Sequence, residues 1–453
     1  MQQRDFRNLR HQLAGYQLTP LVRQTALRIL AGLDAAASER AFALVGHAGA
    51  GKSAFALFLA HYLQRSPSRR LQLLTSLGFA EVALPLDAPQ LLAVPVTYGQ
   101  SSLHPAVLLA LREALQCLKP RLRGPEATAL LAALARDAAA VRIDPQCVAA
   151  RVAETARLVQ QSGQFGGLLL IIDDLSQLLD YPADHDDEHT LALLQSLAAL
   201  AALSGATPCL VVIMLPQAFA ADPVRRMDWA HAQERFVVLP FQEPPTQMLR
   251  MVAHALRPQA KQRWQRAREA WVAQVAPASD ALGLRPPEIS AAEWPELLAA
   301  CYPLHPTVLV ALPPLLRQLA QHGCSLFAFL HANEPWSLRD HLASANSTQL
   351  TLPIYRLTHL CAYVEHMLGP SLFAEAHAQP WAALAAARTM LASDDPTQFQ
   401  ALTVVGTINA LKHAAGLRAD RAQVAFALAD TPDGPQADPV YAALAALVAR
   451  RML

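Results

Sequence analysis

Gly46-His47-Ala48-Gly49-Ala50-Gly51-Lys52-Ser53 fits the pattern G-x-x-x-x-G-K-[ST], and its flanks decide how it is read. Upstream, Ala41-Phe42-Ala43-Leu44-Val45 is a short apolar run suited to a buried strand. Downstream, Ala54-Phe55-Ala56-Leu57-Phe58-Leu59-Ala60 opens a helix. A strand that delivers glycines to a helix N-terminus builds an anion site. Backbone N–H groups converge there and the helix dipole favours phosphate. On this reading residues 46–54 cradle the phosphates. Lys52 reaches the β/γ-phosphates and the Ser53 hydroxyl holds Mg²⁺. The expected ligands are ATP or ADP with Mg²⁺.

Further aliphatic runs lie at Leu91–Tyr98, Leu168–Ile172, Cys209–Leu215 and Phe236–Phe241, with Ala- and Leu-rich helical stretches between them. Strands alternating with helices imply an α/β fold with a parallel sheet. Five strands in the order 5-1-4-3-2 are expected. The run Leu168–Ile172 ends in Asp173-Asp174, where such a sheet binds its ligands. Asp173 is the candidate Mg²⁺ ligand and Asp174 the candidate for orienting or deprotonating the attacking water. A pair of helix-capping aspartates is the plainer alternative.

Beyond about residue 243 the strand signals stop and helices separated by Pro-rich breaks take over. The expected organisation is a helical segment over 1–38, a nucleotide-binding core over 39–242 with a helical insertion near 117–163, a helical lid over 243–345, and a helical domain over 346–453.

Gln233-Glu234-Arg235-Phe236-Val237-Val238-Leu239-Pro240-Phe241, followed by Pro244-Pro245 and a helix to Leu256, resembles the Arg-Phe segment of AAA+ ATPases. The resemblance implies that Arg235 acts as a finger in a neighbouring subunit's site, and hence a homo-oligomer; an ordinary surface arginine is the alternative. It also implies a polar sensor after the fourth strand, for which Gln217 is the nearest substitute. Many active members carry Glu where this chain has Asp174, which implies slow turnover or a need for closure. The Asp-Asp ending and long helical half are similar to STAND-class signalling ATPases. Cys301-Tyr302-Pro303-Leu304-His305-Pro306 and Ser325-Leu326-Phe327-Ala328-Phe329-Leu330 resemble segments of large bacterial P-loop ATPases of phage-defence, BREX-type systems. There His305 would be a state sensor near the nucleotide, or else a helix cap.

Residues 397–453 read as three helices and resemble the winged-helix module of origin-recognition-type AAA+ proteins. Arg450 and Arg451 on the last helix would then contact DNA phosphates, although that helix has little with which to read a base edge. The basic stretch Arg65, Arg69, Arg70 reads as a solvated loop and the best basic patch near the core, a possible DNA contact. Asp184-His185-Asp186-Asp187-Glu188-His189 has metal-like spacing, but acidic residues opening a helix also suit its dipole.

Composition narrows the class. With 453 residues and a net charge of +1, nothing argues for a global basic field. Hydrophobic content of 53% against 16% charged and 6% aromatic residues fits a helix-rich chain. The six cysteines form no C-x-x-C pair, which suits buried thiols in a reducing compartment. The most membrane-like stretch, Leu191–Leu203, is too short to span and contains Gln195 and Ser196. The expectation is a cytoplasmic ATPase of AAA+/STAND type, with no membrane contact and with DNA or a protein effector as possible partners. A low-turnover nucleotide switch that recruits an effector is the alternative.

Overall fold

Five aliphatic runs become strands: β1 (Ala41–Val45), β2 (Leu91–Thr97), β3 (Gly167–Asp173), β4 (Cys209–Leu215) and β5 (Val237–Pro240). The computed structural model describes residues 16–79, 84–97, 102–118, 124–140, 142–173, 175, 186–215, 234–256, 264–319, 325–344, 353–372, 378–391, 395–411 and 416–453. The chain divides into two units, Met1–Gln242 and Glu243–Leu453.

In the first unit every strand pairing is parallel, and the order across the sheet is β2-β3-β4-β1-β5. Read from the β5 edge this runs 5-1-4-3-2. Pro95 inside β2 cannot donate to a ladder, which restricts β2 to an edge; it pairs only with β3. The opposite edge, β5, is four residues long and ends at Pro240.

Alternate residues face two separate cores. Leu168, Leu170 and Ile172 of β3 join Val211, Ile213 and Leu215 of β4 on one face. Leu169 and Ile171 join Leu210, Val212 and Met214 on the other. Covered on both faces, the strands read as unbroken hydrophobic runs rather than alternating ones. The first face is packed by α4 (Leu103–Leu118), α5 (Pro125–Ala138), α6 (Pro145–Gln161) and α7 (Asp186–Leu203). Among the described residues the β2–β3 crossover contains three helices, α4 to α6.

The second face holds α1 (Pro20–Ala31), α2 (Lys52–Leu63) and α3 (Pro67–Ser76). Pro20 stands at the first turn of α1, capped by the Thr19 hydroxyl. Helix α2 is buried without interruption from Phe55 to Leu63, as a helix apolar all round must be.

Of the basic stretch expected as a solvated loop, Arg65 lies in the turn before α3, whereas Arg69 and Arg70 are on α3, and Arg70 is 0% exposed. Its guanidinium donates to the carbonyls of Tyr62, Leu63, Leu86, Ala88 and Pro89. Arg70 is thus a structural clamp that no phosphate backbone can reach.

The second unit is helical: α8 (Pro245–Leu256), α9 (Gln265–Ala281), α10 (Glu293–Cys301), α11 (Pro306–Gln318), α12 (Leu326–His331), α13 (Leu338–Ser344), α14 (Leu357–Leu368), α15 (Gln379–Met390), α16 (Pro396–Ala410), α17 (Arg421–Ala429) and α18 (Asp438–Ala449). One continuous core runs from Leu249 to Leu447, through both the expected lid and the expected C-terminal domain. Among the described residues of this unit the only β pairing is a single bridge, Leu304 to Tyr355. The last three helices are present, and among the described residues no strand separates them, so only the helical part of the winged-helix expectation is seen. Among the described residues no helix is long and apolar enough to cross a membrane.

Candidate phosphate site

All five strands point the same way, so β1, β3, β4 and β5 end along one edge of the sheet, and the Gly-rich loop leaves from there. Gly46 N–H donates to Leu215 O at the end of β4 (3.2 Å), and Phe241 N–H donates to Val45 O (2.7 Å). The loop is pinched at its start: a Cβ on Gly46 would stand 2.1 Å from Phe241 O. Gly49 and Gly51 adopt φ of +73° and +90°, left-handed conformations that favour glycine. Ala50 N–H closes a turn onto His47 O at 3.3 Å, and the His47 Nδ1 lies 2.7 Å from Ala48 O.

Helix α2 begins directly after Gly51. No side chain caps it and no acidic residue lies in its first turn, whereas Thr19, Asp144, Asp395 and Asp420 cap helices elsewhere. Its first-turn N–H groups lack intrahelical partners and carry the positive end of the dipole. The half-buried Lys52 folds back over the loop, where its ammonium donates to Gly46 O (2.5 Å) and His47 O (2.9 Å). Two carbonyls therefore hold the cation in place above the loop. Ser53, at the second position of α2, is exposed, and Ala54 is half-buried.

Asp173 is the last residue of β3, half-buried and in register with Thr97. Alternation places it on the same face as Leu169 and Ile171, which is the α2 face. Only β4 separates β3 from β1, a span of about 10 Å at the usual strand spacing. Ser53 and Asp173 thus share one edge and one face of the sheet. Asp174 and Gln217 lie outside the described residues.

Arg235 is exposed and immediately precedes Phe236 and β5. Because Val237 pairs with Phe42, Arg235 sits at the opposite edge of the sheet from the loop. Six strand residues separate its level from Gly46, about 20 Å at roughly 3.3 Å per residue. Arg235 and the loop of the same chain are not brought together.

His305 is a correction to the expected site set. It is fully buried in the helical unit, where it caps α11: its Nδ1 accepts from Thr307 N–H at 3.3 Å. Its Nε2 stands 3.3 Å from Asp430 Oδ1, and its ring packs 4.8 Å from that of Phe426. Burial pushes its pKa down to about 4, against the opposing pull of Asp430. With its ring enclosed in this way, His305 has no face left for a nucleotide.

In the Asp184–His189 stretch, residues 184 and 185 lie outside the described residues. Exposed His189 stands 6.4 Å, ring to ring, from the buried His104. Among the described residues no group of three or more metal-ligating side chains forms. His104, placed by α4 at the edge where β2 ends, escaped the sequence reading; a lone histidine at the start of a helix carries no spacing signal. Cys209, Cys301 and Cys361 are buried, whereas Cys117 is exposed and Cys147 half-buried. Burial pushes the Cys209 and Cys361 thiols up to about 12, out of the range of ready nucleophiles.

No family model, no curated protein and no solved structure matches this chain.

Proposed function

We propose that the chain is a Mg²⁺-dependent P-loop ATPase of AAA+/STAND type that couples ATP hydrolysis to conformational work. The observation that carries this reading is the Lys52 ammonium, held by Gly46 O and His47 O over the uncapped start of α2. A fixed cation, converging amides and a helix dipole together suit a polyphosphate. Ser53 and Asp173, on one face of one sheet edge, are the pair suited to Mg²⁺, which when bound would neutralise charge on the β- and γ-phosphate oxygens. Asp174 is assigned to orienting the attacking water. Little covalent chemistry falls to the protein, so positioning and charge stabilisation account for the rate.

Arg235 supports an oligomeric version of this reading. Being about 20 Å from its own loop, it can act only on a neighbour's nucleotide. A second reading, a low-turnover switch that recruits an effector, is favoured by the same separation, because an isolated chain lacks that arginine at its own site. The resemblance to phage-defence ATPases supports a DNA-associated or antiviral setting for either reading.

Mixing separates them. Arg235→Ala and Lys52→Ala proteins are each expected to be inactive alone, because one lacks the finger and the other the phosphate lysine. A mixture creates junctions with an intact Lys52 facing an intact Arg235, and ATP turnover should partly return. Full turnover by Arg235→Ala alone would refute the shared site. Tight ADP or ATP binding with no turnover in any mixture would favour the switch.

A further inference from the structure

Between Val440 and Ala449, helix α18 has no polar side chain except Tyr441. Val440, Ala443 and Leu447 face the core of the helical unit. Ala442, Ala445, Val448 and Ala449 are nevertheless exposed, Val448 by 60%. A helix apolar all round belongs in an interior, so its free face requires a cover. That face borders a groove of about 950 Å³ walled by α15, α16 and α18, with Leu384, Leu402, Gly406 and Leu444 among its lining. Met390, 77% exposed, extends the lining of α15 one turn beyond Ala387 by helical spacing.

The ends of α18 carry opposite charge. Exposed Asp433 and Asp438 stand at its start, and exposed Arg450 and Arg451 at its end. Among the described residues none of these four forms an ion pair. Arg421, stacked 3.8 Å over the Tyr441 ring, offsets part of the negative end, while the nearby Asp420 is paired with Arg418. Acidic and basic ends are about 18 Å apart along a 12-residue helix.

We infer that this face is a twofold interface with a second copy of the chain, in which the two α18 helices lie antiparallel. A twofold axis through the middle of α18 sets the Asp433–Asp438 end of one copy against the Arg450–Arg451 end of the other, twice over. It also opposes the two helix dipoles favourably. The exposed alanines allow close helix approach, and Val448 enters the groove of the other copy. This interface is independent of the nucleotide site.

Sedimentation velocity, without nucleotide and in an Arg235→Ala background, tests it over about 1–100 µM, the range that resolves micromolar association. A concentration-dependent dimer is expected. Ala445→Glu and Val448→Glu are both surface changes, and circular dichroism will confirm that they fold. Each should raise the dissociation constant tenfold or more. Arg450→Glu with Arg451→Glu should weaken the dimer, and adding Asp433→Lys and Asp438→Lys should restore it to within threefold of the parent. A monomer throughout the range would assign the face to a different partner and overturn the proposal. So would a dimer indifferent to Ala445→Glu and Val448→Glu, or a charge swap that fails to restore association.

Discussion

A methyl group placed on Gly46 would stand 2.1 Å from the carbonyl oxygen of Phe241. The first glycine of the Gly-rich loop is thus set by the exit of β5, not by the loop's own conformation. Gly46→Ala must push the loop away from the sheet, at a cost of about 1–3 kcal/mol in overpacking. If the proposed phosphate site is correct, moving the loop should lower ADP affinity at least tenfold with Mg²⁺ present. Thermal unfolding and a fluorescent-nucleotide titration on the same protein measure the two effects together. Unchanged affinity would break the link between the β5 exit and the loop.

Lys52 makes a complementary prediction. Its ammonium already bonds two carbonyls, so it is positioned before any ligand arrives. On the proposed function, Lys52→Ala should cost the charge-assisted contact to phosphate, about 2–4 kcal/mol, or roughly 30- to 1,000-fold in affinity. The loss should be larger for ATP than for AMP, which lacks β- and γ-phosphates. Isothermal titration with ATP and AMP reads this directly, and an equal loss for both would place Lys52 elsewhere.

How far the sequence could be read follows from where the partners of each residue lie. Strand Cys209–Leu215 and helix Pro245–Leu256 were legible because burial on two faces, or amphipathic spacing, is written within the segment. The loop, α2 and the alternation that puts Asp173 on the α2 face are local in the same sense. Arg70 was misread because the carbonyls of Leu86, Ala88 and Pro89 reach it from a different part of the chain. His305 was ambiguous for the same reason, since its Asp430 partner comes from the end of α17. Helices α9 and α11 continue through Pro277 and through Pro313 and Pro314, where local propensity favours a break. Burial in the helical core overrides it.

Arg70 tests the clamp. Burial lowers its pKa, yet five carbonyls satisfy its forked donors, and the guanidinium lies 5.2 Å from the Tyr62 ring. A lysine keeps the charge but cannot span that fork. Arg70→Lys should therefore destabilise the first unit by about 2–4 kcal/mol, measured by urea unfolding. A change below 0.5 kcal/mol, the usual size of a surface substitution, would mean the fork is not needed.

The His305–Asp430–Arg356 cluster predicts how the helical unit responds to acid. Asp430 also meets Arg356 Nη1 at 2.8 Å, and the close contacts from His305 and Arg356 overcome burial and hold its pKa at about 2. His305 is depressed from 6.5 to about 4. A histidine with a lowered folded pKa contributes stability that is full above 6.5 and is lost as pH falls toward 4, because the unfolded chain binds the proton first. At 1.36 kcal/mol per unit the ceiling is about 3 kcal/mol. The Asp430 contribution is lost only below the ordinary carboxylate pKa, between about 4 and 2, so the two windows scarcely overlap. Asparagine also caps helices well, so His305→Asn keeps the α11 cap while deleting the titrating ring. The variant should be less stable than the parent at pH 7, through the lost packing on Phe426, yet lose less stability between pH 7 and pH 4.5. His359, held near 4 chiefly by burial, leaves a residual slope in both proteins. Denaturant unfolding at pH 7, 5.5 and 4.5 checks this, and parallel pH profiles for parent and variant would remove His305 from the acid response.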